Sequence, residues 1–187
     1  MKPHLLAAAL ALVTTLPLQA QTPVATTRAA DGPAVVVRAE QVAQVIAQAR
    51  AAYDASNPKN PNVRLPIIEG TPYTLNLEYR IGKAPAGIHP NHAELMVVLD
   101  GAATITTGGS LVNARTLNDI TITATDITGG AGRHIAKGDI VVVPEGTAHM
   151  LTPDAGGPLV IATVYMPRAG AWAAPAPGGR GVAPKLN

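Results

Sequence analysis

Histidine and glutamate, two residue types that bind metal ions, occur in two short patterns of this chain. The first pattern runs His89-Pro90-Asn91-His92-Ala93-Glu94 and is followed, after six further residues, by Gly101. The second comprises Gly138, five residues, Pro144-Glu145-Gly146, two residues and His149. Imidazole and carboxylate groups suit iron, manganese, zinc or nickel, and non-haem iron often uses two histidines and one carboxylate, which leaves coordination positions open. The residue types therefore indicate a divalent metal site.

The two patterns resemble the two signature motifs of the cupin superfamily. The second is the more specific, because a glycine, a proline, a second glycine and a histidine at these spacings are improbable by chance. In the first pattern Glu94 and Gly101 match, and His89 falls where the second of two histidines belongs. Gly87 takes the place of the first histidine, so this motif is incomplete. The resemblance covers about residues 73–166, roughly half of the chain.

The resemblance implies a ligand set and a place for it. His89, Glu94 and His149 are expected to bind one divalent metal (iron, manganese, zinc or nickel) at the mouth of a small β-barrel. A buried glutamate is costly without a partner, which favours a metal at Glu94. His92 is two residues before Glu94, so both would face the same way on a strand, and His92 is either a fourth ligand or a residue of the rim. The alternative is a barrel that has kept these side chains without binding a metal.

Four other polar side chains are candidates for the same site. His134 precedes a predicted turn at 137–139 and is expected at the surface or at a strand end. Tyr79 and Arg80 are neighbours on a predicted strand, so one of them should point into the barrel. Tyr165 could donate its phenol to a ligand or fill the core.

The elements that must position these residues are mostly strands. Apolar residues at helical spacing predict one helix over about residues 39–54, and the Pro- and Asn-rich stretch up to Pro66 is expected to be a loop. From residue 71 onward, alternating residues and glycine-rich turns predict many short strands. The continuous apolar runs 95–99 and 140–143 predict strands that are buried on both faces.

These elements predict an all-β fold: a double-stranded β-helix (jelly-roll) cupin barrel with one N-terminal helix. The barrel is expected over residues 71–166, after an extension over 21–70 and before a disordered tail over 167–187 that is rich in Pro, Gly and Ala. Within the barrel, Thr107 to His134 is expected to be an inserted hairpin, and its Gly108-Gly109 turn is expected to need a positive φ.

The first 20 residues predict a signal peptide. Lys2 precedes an apolar stretch from Leu5 to Leu18, and Ala20 is a small residue at a suitable cleavage point. An uncleaved anchor is the alternative, but this stretch is shorter than the roughly 20 apolar residues that span a bilayer. The mature protein is therefore expected to be periplasmic or secreted, and not to be held in a membrane after signal cleavage.

Composition argues against several function classes. The formal net charge is only +2, without a run of lysine or arginine, and aromatic residues make up 3% of the chain, so nucleic acid is not an expected partner. The chain has no cysteine and can form neither disulfides nor a thiolate metal site.

Two functions remain open at this point, besides a structural or partner-binding cupin, which the patterns favour less. The first is a metal-dependent enzyme of the oxygenase, isomerase or lyase type that acts on a small organic molecule. The second is a non-catalytic cupin that binds a small ligand. Glu94 and His149 favour the enzyme, whereas Gly87 in place of a histidine favours the binding protein. The resemblance also implies a homodimer, and the patterns name no catalytic residue.

Overall fold

The computed structural model describes residues 34–55, 62–69 and 74–168. These ranges contain one helix, α1 (Ala39–Ala55), and thirteen strands. The strands are β1 (Asn62–Ile68), β2 (Leu75–Arg80), β3 (Ala86–Ile88), β4 (His92–Asp100), β5 (Ala102–Thr107), β6 (Ser110–Val112), β7 (Arg115–Asn118), β8 (Thr121–Ala124), β9 (Asp126–Thr128), β10 (Ala131–Ala136), β11 (Ile140–Val143), β12 (His149–Pro153) and β13 (Leu159–Pro167).

Two antiparallel sheets enclose the main core. One has the strand order β1-β2-β13-β4-β11, and the other has the order β10-β5-β12-β3-β8-β7. Alternate residues of the strands point between the sheets, as the period of two requires. Met96 and Ile161 of the first sheet thereby meet Ile105 and Leu151 of the second in one buried cluster. The prediction of an all-β jelly roll with one N-terminal helix is confirmed.

Helix α1 covers the part of the outer face of the five-stranded sheet that β1, β2 and β13 form. Its N-terminus is capped by the Gln41 side chain, whose Oε1 accepts a hydrogen bond of 2.8 Å from the Arg38 backbone N–H. Val45 and Ala49, four residues apart on one helix face, pack with Leu77 and Tyr79 of β2 in a second buried cluster. The buried parts of β2 and β13 therefore lie between the helix on one side and the main core on the other.

Strand β1 corrects the prediction of a loop up to Pro66. It pairs with β2, so the sheet begins at Asn62 and not at residue 71. The sheet tolerates Pro66 because β1 is an edge strand, where the missing N–H leaves no carbonyl group of a neighbouring strand without a partner. The register also shifts between Pro66 and Ile68.

Strand β11 corrects the prediction of burial on both faces. Val143 is buried, but Ile140 and Val142 are 68% and 54% exposed. The reason is that β11 is an edge strand of its sheet, and no described element lies over its outer face. In β4, the other continuous apolar run, burial alternates between buried and half-buried residues.

The predicted insertion between Thr107 and His134 consists of two nested hairpins. Strands β6 and β9 form the outer pair, and β7 and β8 form the inner pair. Because β8 also pairs with β3, the inner hairpin extends the six-stranded sheet. The entry turn has the predicted positive φ at Gly108 and Gly109, where a Cβ on Gly109 would lie 2.5 Å from the Thr128 carbonyl oxygen.

The predicted signal peptide, residues 1–20, lies outside the described residues, as does the predicted tail beyond residue 168. The first two residues of the predicted tail are ordered instead: Pro167 ends β13, and the Arg168 N–H donates a hydrogen bond to the Asn91 carbonyl oxygen. Cleavage and export stay predictions. Within the described residues, no helix is both long and apolar enough to cross a membrane.

Candidate metal centre

Three strands of the two sheets bring the predicted ligands together. Glu94 lies on β4 with the same parity as the core residue Met96, so it points between the sheets. His149 opens β12, and His89 directly follows β3. The two sequence motifs also contact each other through the backbone, since the Gly146 N–H donates a 2.9 Å hydrogen bond to the His89 carbonyl oxygen.

The side chains of His89, Glu94 and His149 converge at one point. Glu94 Oε2 lies 3.0 Å from His149 Nε2 and 3.4 Å from His89 Nε2. One ligand atom from each residue lies within 4.8 Å of the others, and all three residues are buried. This buried group could bind a metal ion.

The second nitrogen of each imidazole is held by a backbone carbonyl. His89 Nδ1 lies 3.0 Å from the Ile120 carbonyl oxygen and 3.2 Å from Thr121 Oγ1, and His149 Nδ1 lies 3.1 Å from the Thr147 carbonyl oxygen. A carbonyl oxygen can only accept, so each Nδ1 carries a proton and donates it. Each Nε2 is then the atom available to a metal, in the arrangement common for metal-binding histidines.

Glu94 stays ionised although it is buried. Burial alone would raise the pKa of its carboxyl group, but the hydrogen bonds from His149 and His89 outweigh that effect and lower the pKa from 4.5 to about 2. An ionised carboxylate oxygen beside two imidazole nitrogens is a donor set that fits a divalent metal.

His92 is not one of the three residues whose ligand atoms converge, so a role as fourth ligand stays a prediction. Its Nδ1 is buried without a hydrogen-bond partner among the described residues. His92 has the parity of Glu94 but lies two residues nearer the start of β4, about 6.6 Å along a strand. That displacement places it at the rim. His134 lies at the surface, as expected, 2.9 Å from Asp154.

Gly87 lies directly opposite His149. The two are cross-strand partners between β3 and β12, and both line the same cavity. Directly opposed residues of antiparallel strands point to the same face of the sheet. The position that lacks the first histidine of the motif is therefore next to the site.

The inner face of β2 supplies two charged residues to the cavity. Of the two candidates Tyr79 and Arg80, Arg80 points into the cavity and Tyr79 packs under the helix. Glu78, which the sequence did not single out, lies on the same face as Arg80. Glu78 is buried and bonds to Arg80 Nε at 2.9 Å. Two opposite charges at an i, i+2 spacing on a predicted strand were the signal for this pair.

Strands β1 and β13 add Arg64 and Tyr165 to the same wall. Tyr165 is the cross-strand partner of Glu94, and its ring centroid lies 4.5 Å from that of His89. Arg64 Nη1 donates a 3.1 Å hydrogen bond to the Tyr165 hydroxyl. The sequence does not reveal Arg64 as a residue of the cavity, because Pro66 makes this strand resemble a loop. Burial and the nearby charge of Glu94 raise the pKa of Tyr165 to about 12, so its hydroxyl remains protonated.

The cavity beside the ligands has a volume of 190 Å³. This is below the range of about 300–1,000 Å³ that is typical for drug-sized ligands. Its size suits a small molecule.

Solved structures with similar folds include three from different organisms. The protein BH2720 from Bacillus halodurans is 16% identical, with 73% of this chain and 84% of that chain covered and a TM-score of 0.47. An uncharacterized conserved protein with a double-stranded β-helix domain from Klebsiella pneumoniae is 17% identical, with 60% and 82% covered and a TM-score of 0.45. The cupin domain of Schizosaccharomyces pombe Cnp3 is 9% identical, with 60% and 69% covered and a TM-score of 0.46. Neither a model of a known family nor a curated protein matches the sequence.

The topology of the chain itself identifies its fold. Two antiparallel sheets enclose one core, and the two motifs place His89, Glu94 and His149 between them. The chain has a double-stranded β-helix (jelly-roll) fold.

Proposed function

We propose that this protein is a metal-dependent enzyme that acts on a small organic molecule. The observation that carries the proposal is the convergence of three buried ligand atoms from His89, Glu94 and His149, with both imidazoles oriented by backbone carbonyls. Buried ionisable groups that converge beside a cavity are typical of functional sites.

The three residues would hold one divalent ion, and the rest of the cavity would handle the substrate. A bound ion supplies Lewis-acid or redox chemistry to a substrate oxygen. Glu94 provides the negative charge that retains the ion, and the apolar core beneath excludes water from one side. The protonated Tyr165 hydroxyl can donate a hydrogen bond to a substrate oxygen beside His89.

The alternative is a non-catalytic protein that binds a small ligand, and one observation favours it. Among the described residues that line the cavity, Glu94 and the histidines are used by the site, and Glu78 is bonded to Arg80. This leaves no carboxylate or imidazole free to act as a general base.

A ligand screen followed by product analysis separates the two functions. Metal-loaded protein is screened against small organic molecules by thermal melting, and each stabilising compound is then incubated with the protein and analysed by mass spectrometry. The enzyme proposal expects a product with the wild type and none with Glu94→Gln. Compounds that stabilise the protein and are recovered unchanged would favour the binding protein instead.

A further inference from the structure

The wall of the cavity beside the metal ligands is positively charged. It contains Arg64, Arg80 and Glu78, of which Arg80 and Glu78 form a pair. Arg80 Nε lies 2.9 Å from Glu78 Oε2, and Arg80 Nη2 bonds to the same oxygen. The Thr163 hydroxyl donates a 3.4 Å hydrogen bond to the other oxygen, Oε1. The charge of Arg80, 13% exposed, is therefore already matched inside the protein.

Arg64 forms only a longer ion pair with the same carboxylate, Glu78. The nearest carboxylate oxygen among the described residues is Glu78 Oε1 at 3.7 Å, which is beyond hydrogen-bonding distance. Its Nη1 is bonded to the neutral Tyr165 hydroxyl, and its guanidinium carbon lies 4.9 Å from the centroid of the Tyr165 ring. The Arg64 side chain is 37% exposed and lines the cavity. Because Arg64 shares the single carboxylate of Glu78 with Arg80, its positive charge is only partly compensated and faces the cavity.

The Tyr165 ring connects this charge to the metal ligands. It contacts both residues: its centroid lies 4.5 Å from the ring centroid of His89 and 4.9 Å from the guanidinium carbon of Arg64. Two guanidinium groups against the single carboxylate of Glu78 leave one positive charge on this wall. A divalent ion against the single carboxylate of Glu94 would leave a second. The loaded cavity would therefore favour an anion.

We propose that the small molecule is a carboxylic acid whose carboxylate binds to Arg64, with the Tyr165 hydroxyl as a second donor. The planar guanidinium matches a carboxylate in shape and donates two parallel hydrogen bonds to it. The volume of the cavity, 190 Å³, suits a small acid. This inference rests on the proposed metal centre, because the ion contributes half of the excess charge.

Binding of acids and their neutral amides to the metal-loaded full chain tests the proposal. The probes are lactate against lactamide and malonate against malonamide, which differ in charge but hardly in size. We expect at least one acid to bind about tenfold or more tightly than its amide, as a charged hydrogen bond at a partly exposed site predicts. If neither acid binds more tightly than its amide, the proposal is wrong.

Substitution of Arg64 identifies the group responsible. Arg64→Gln should weaken binding of the preferred acid by about tenfold, and Arg64→Lys, which keeps the charge but not the planar fork, should weaken it less. Arg133→Gln is the matched control, because Arg133 is an exposed arginine of β10 that does not line this cavity. Equal affinity in wild type and both Arg64 variants would contradict the proposal, and the melting temperature of each variant verifies that it is folded.

Two further measurements distinguish a carboxylate ligand from phosphate, and a failure of the metal centre from a failure of the carboxylate proposal. Inorganic phosphate is tested in the same way, and Arg64-dependent binding of phosphate without binding of either acid would replace the carboxylate with a phosphate group and overturn the proposal. Metal content is measured on each sample before binding. A wild type that takes up no metal refutes the metal centre, whereas a loaded wild type without preference for acids refutes only the carboxylate.

Discussion

Two opposing effects act on the pKa of Glu94, and their balance predicts how the stability of the protein depends on pH. Burial raises the pKa of its carboxyl group, but the hydrogen bonds from His149 and His89 lower this pKa by more. The result is a pKa of about 2 in the folded protein, against 4.5 in the unfolded chain. A lowered folded-state pKa stabilises the native state fully above pH 4.5, and this contribution is lost as the pH falls towards 2.

We therefore expect metal-free wild type to lose stability in this pH window through Glu94. Urea unfolding at a series of pH values, with a chelator present, measures the loss. Glu94→Gln cannot ionise, so the free energy of unfolding of this variant should fall less steeply between pH 4.5 and 2. The same slope in both proteins would show that the carboxylate is not stabilised as the geometry implies.

Gly87 offers a gain-of-affinity test of the same site. It lies opposite His149, has no positive φ, and a Cβ there would make only an ordinary contact of 3.6 Å with the Ile122 carbonyl oxygen. Gly87→His should therefore fold and add a third imidazole beside the site. We expect metal affinity to rise by about tenfold or more, measured by competition with a chelator.

Gly132→His is the control for this substitution. Gly132 is also a strand glycine without a positive φ, but it is exposed on β10, away from the ligands. Its variant should bind metal like the wild type. An unchanged affinity in Gly87→His would mean that position 87 does not reach the ion.

At the scale of elements, the inserted hairpins contribute to the metal centre. Ile120 and Thr121 lie where β7 turns into β8, and both contact Nδ1 of His89. The insertion thereby orients an imidazole that the first motif supplies. Groups that orient metal-binding histidines typically change metal affinity by about 10–100-fold when removed.

Thr121→Val should weaken metal binding by up to about tenfold, at the lower end of that range because the Ile120 carbonyl remains. Isothermal titration with the metal measures the change. Thr116→Val, on the neighbouring strand β7 and exposed, is the control and should bind as the wild type does. A Thr121 variant with wild-type affinity would mean that the carbonyl alone orients His89.

The spacing of the two motifs was sufficient to predict which three side chains converge, whereas the residues of the cavity wall around them could not be predicted in the same way. Glu94 and His149 fall on strands whose turns are marked by glycine and proline, so their faces could be assigned. Arg64 could not be assigned, because the proline of an edge strand resembles that of a loop. The prediction that Ile140 is buried was wrong, because an apolar run does not reveal whether its strand lies at the edge of a sheet.

At the scale of the whole molecule, the exposed edge strand β11 bears on the predicted homodimer. Its residues Ile140 and Val142 are 68% and 54% exposed, and an apolar edge strand is open to pairing with a second chain. We expect the wild type to be a dimer through this edge. Val142→Lys should shift the mass measured by light scattering towards the monomer, whereas Leu117→Lys, at an exposed residue of the other sheet, should not. A monomeric wild type would contradict the dimer, and a dimer that persists in Val142→Lys would exclude this edge.

The central claim is that three side chains hold one divalent ion, and the metal content of the purified full chain tests it most directly. Inductively coupled plasma mass spectrometry is applied to wild type, His149→Ala and His92→Ala after incubation with each of iron, manganese, zinc and nickel and removal of the free ion. We expect about one ion per chain in the wild type and in His92→Ala, because His92 lies at the rim, and almost none in His149→Ala, which loses one of the three converging ligands. A wild type that retains none of the four metals, or a His149→Ala variant that retains as much as the wild type, would contradict the account.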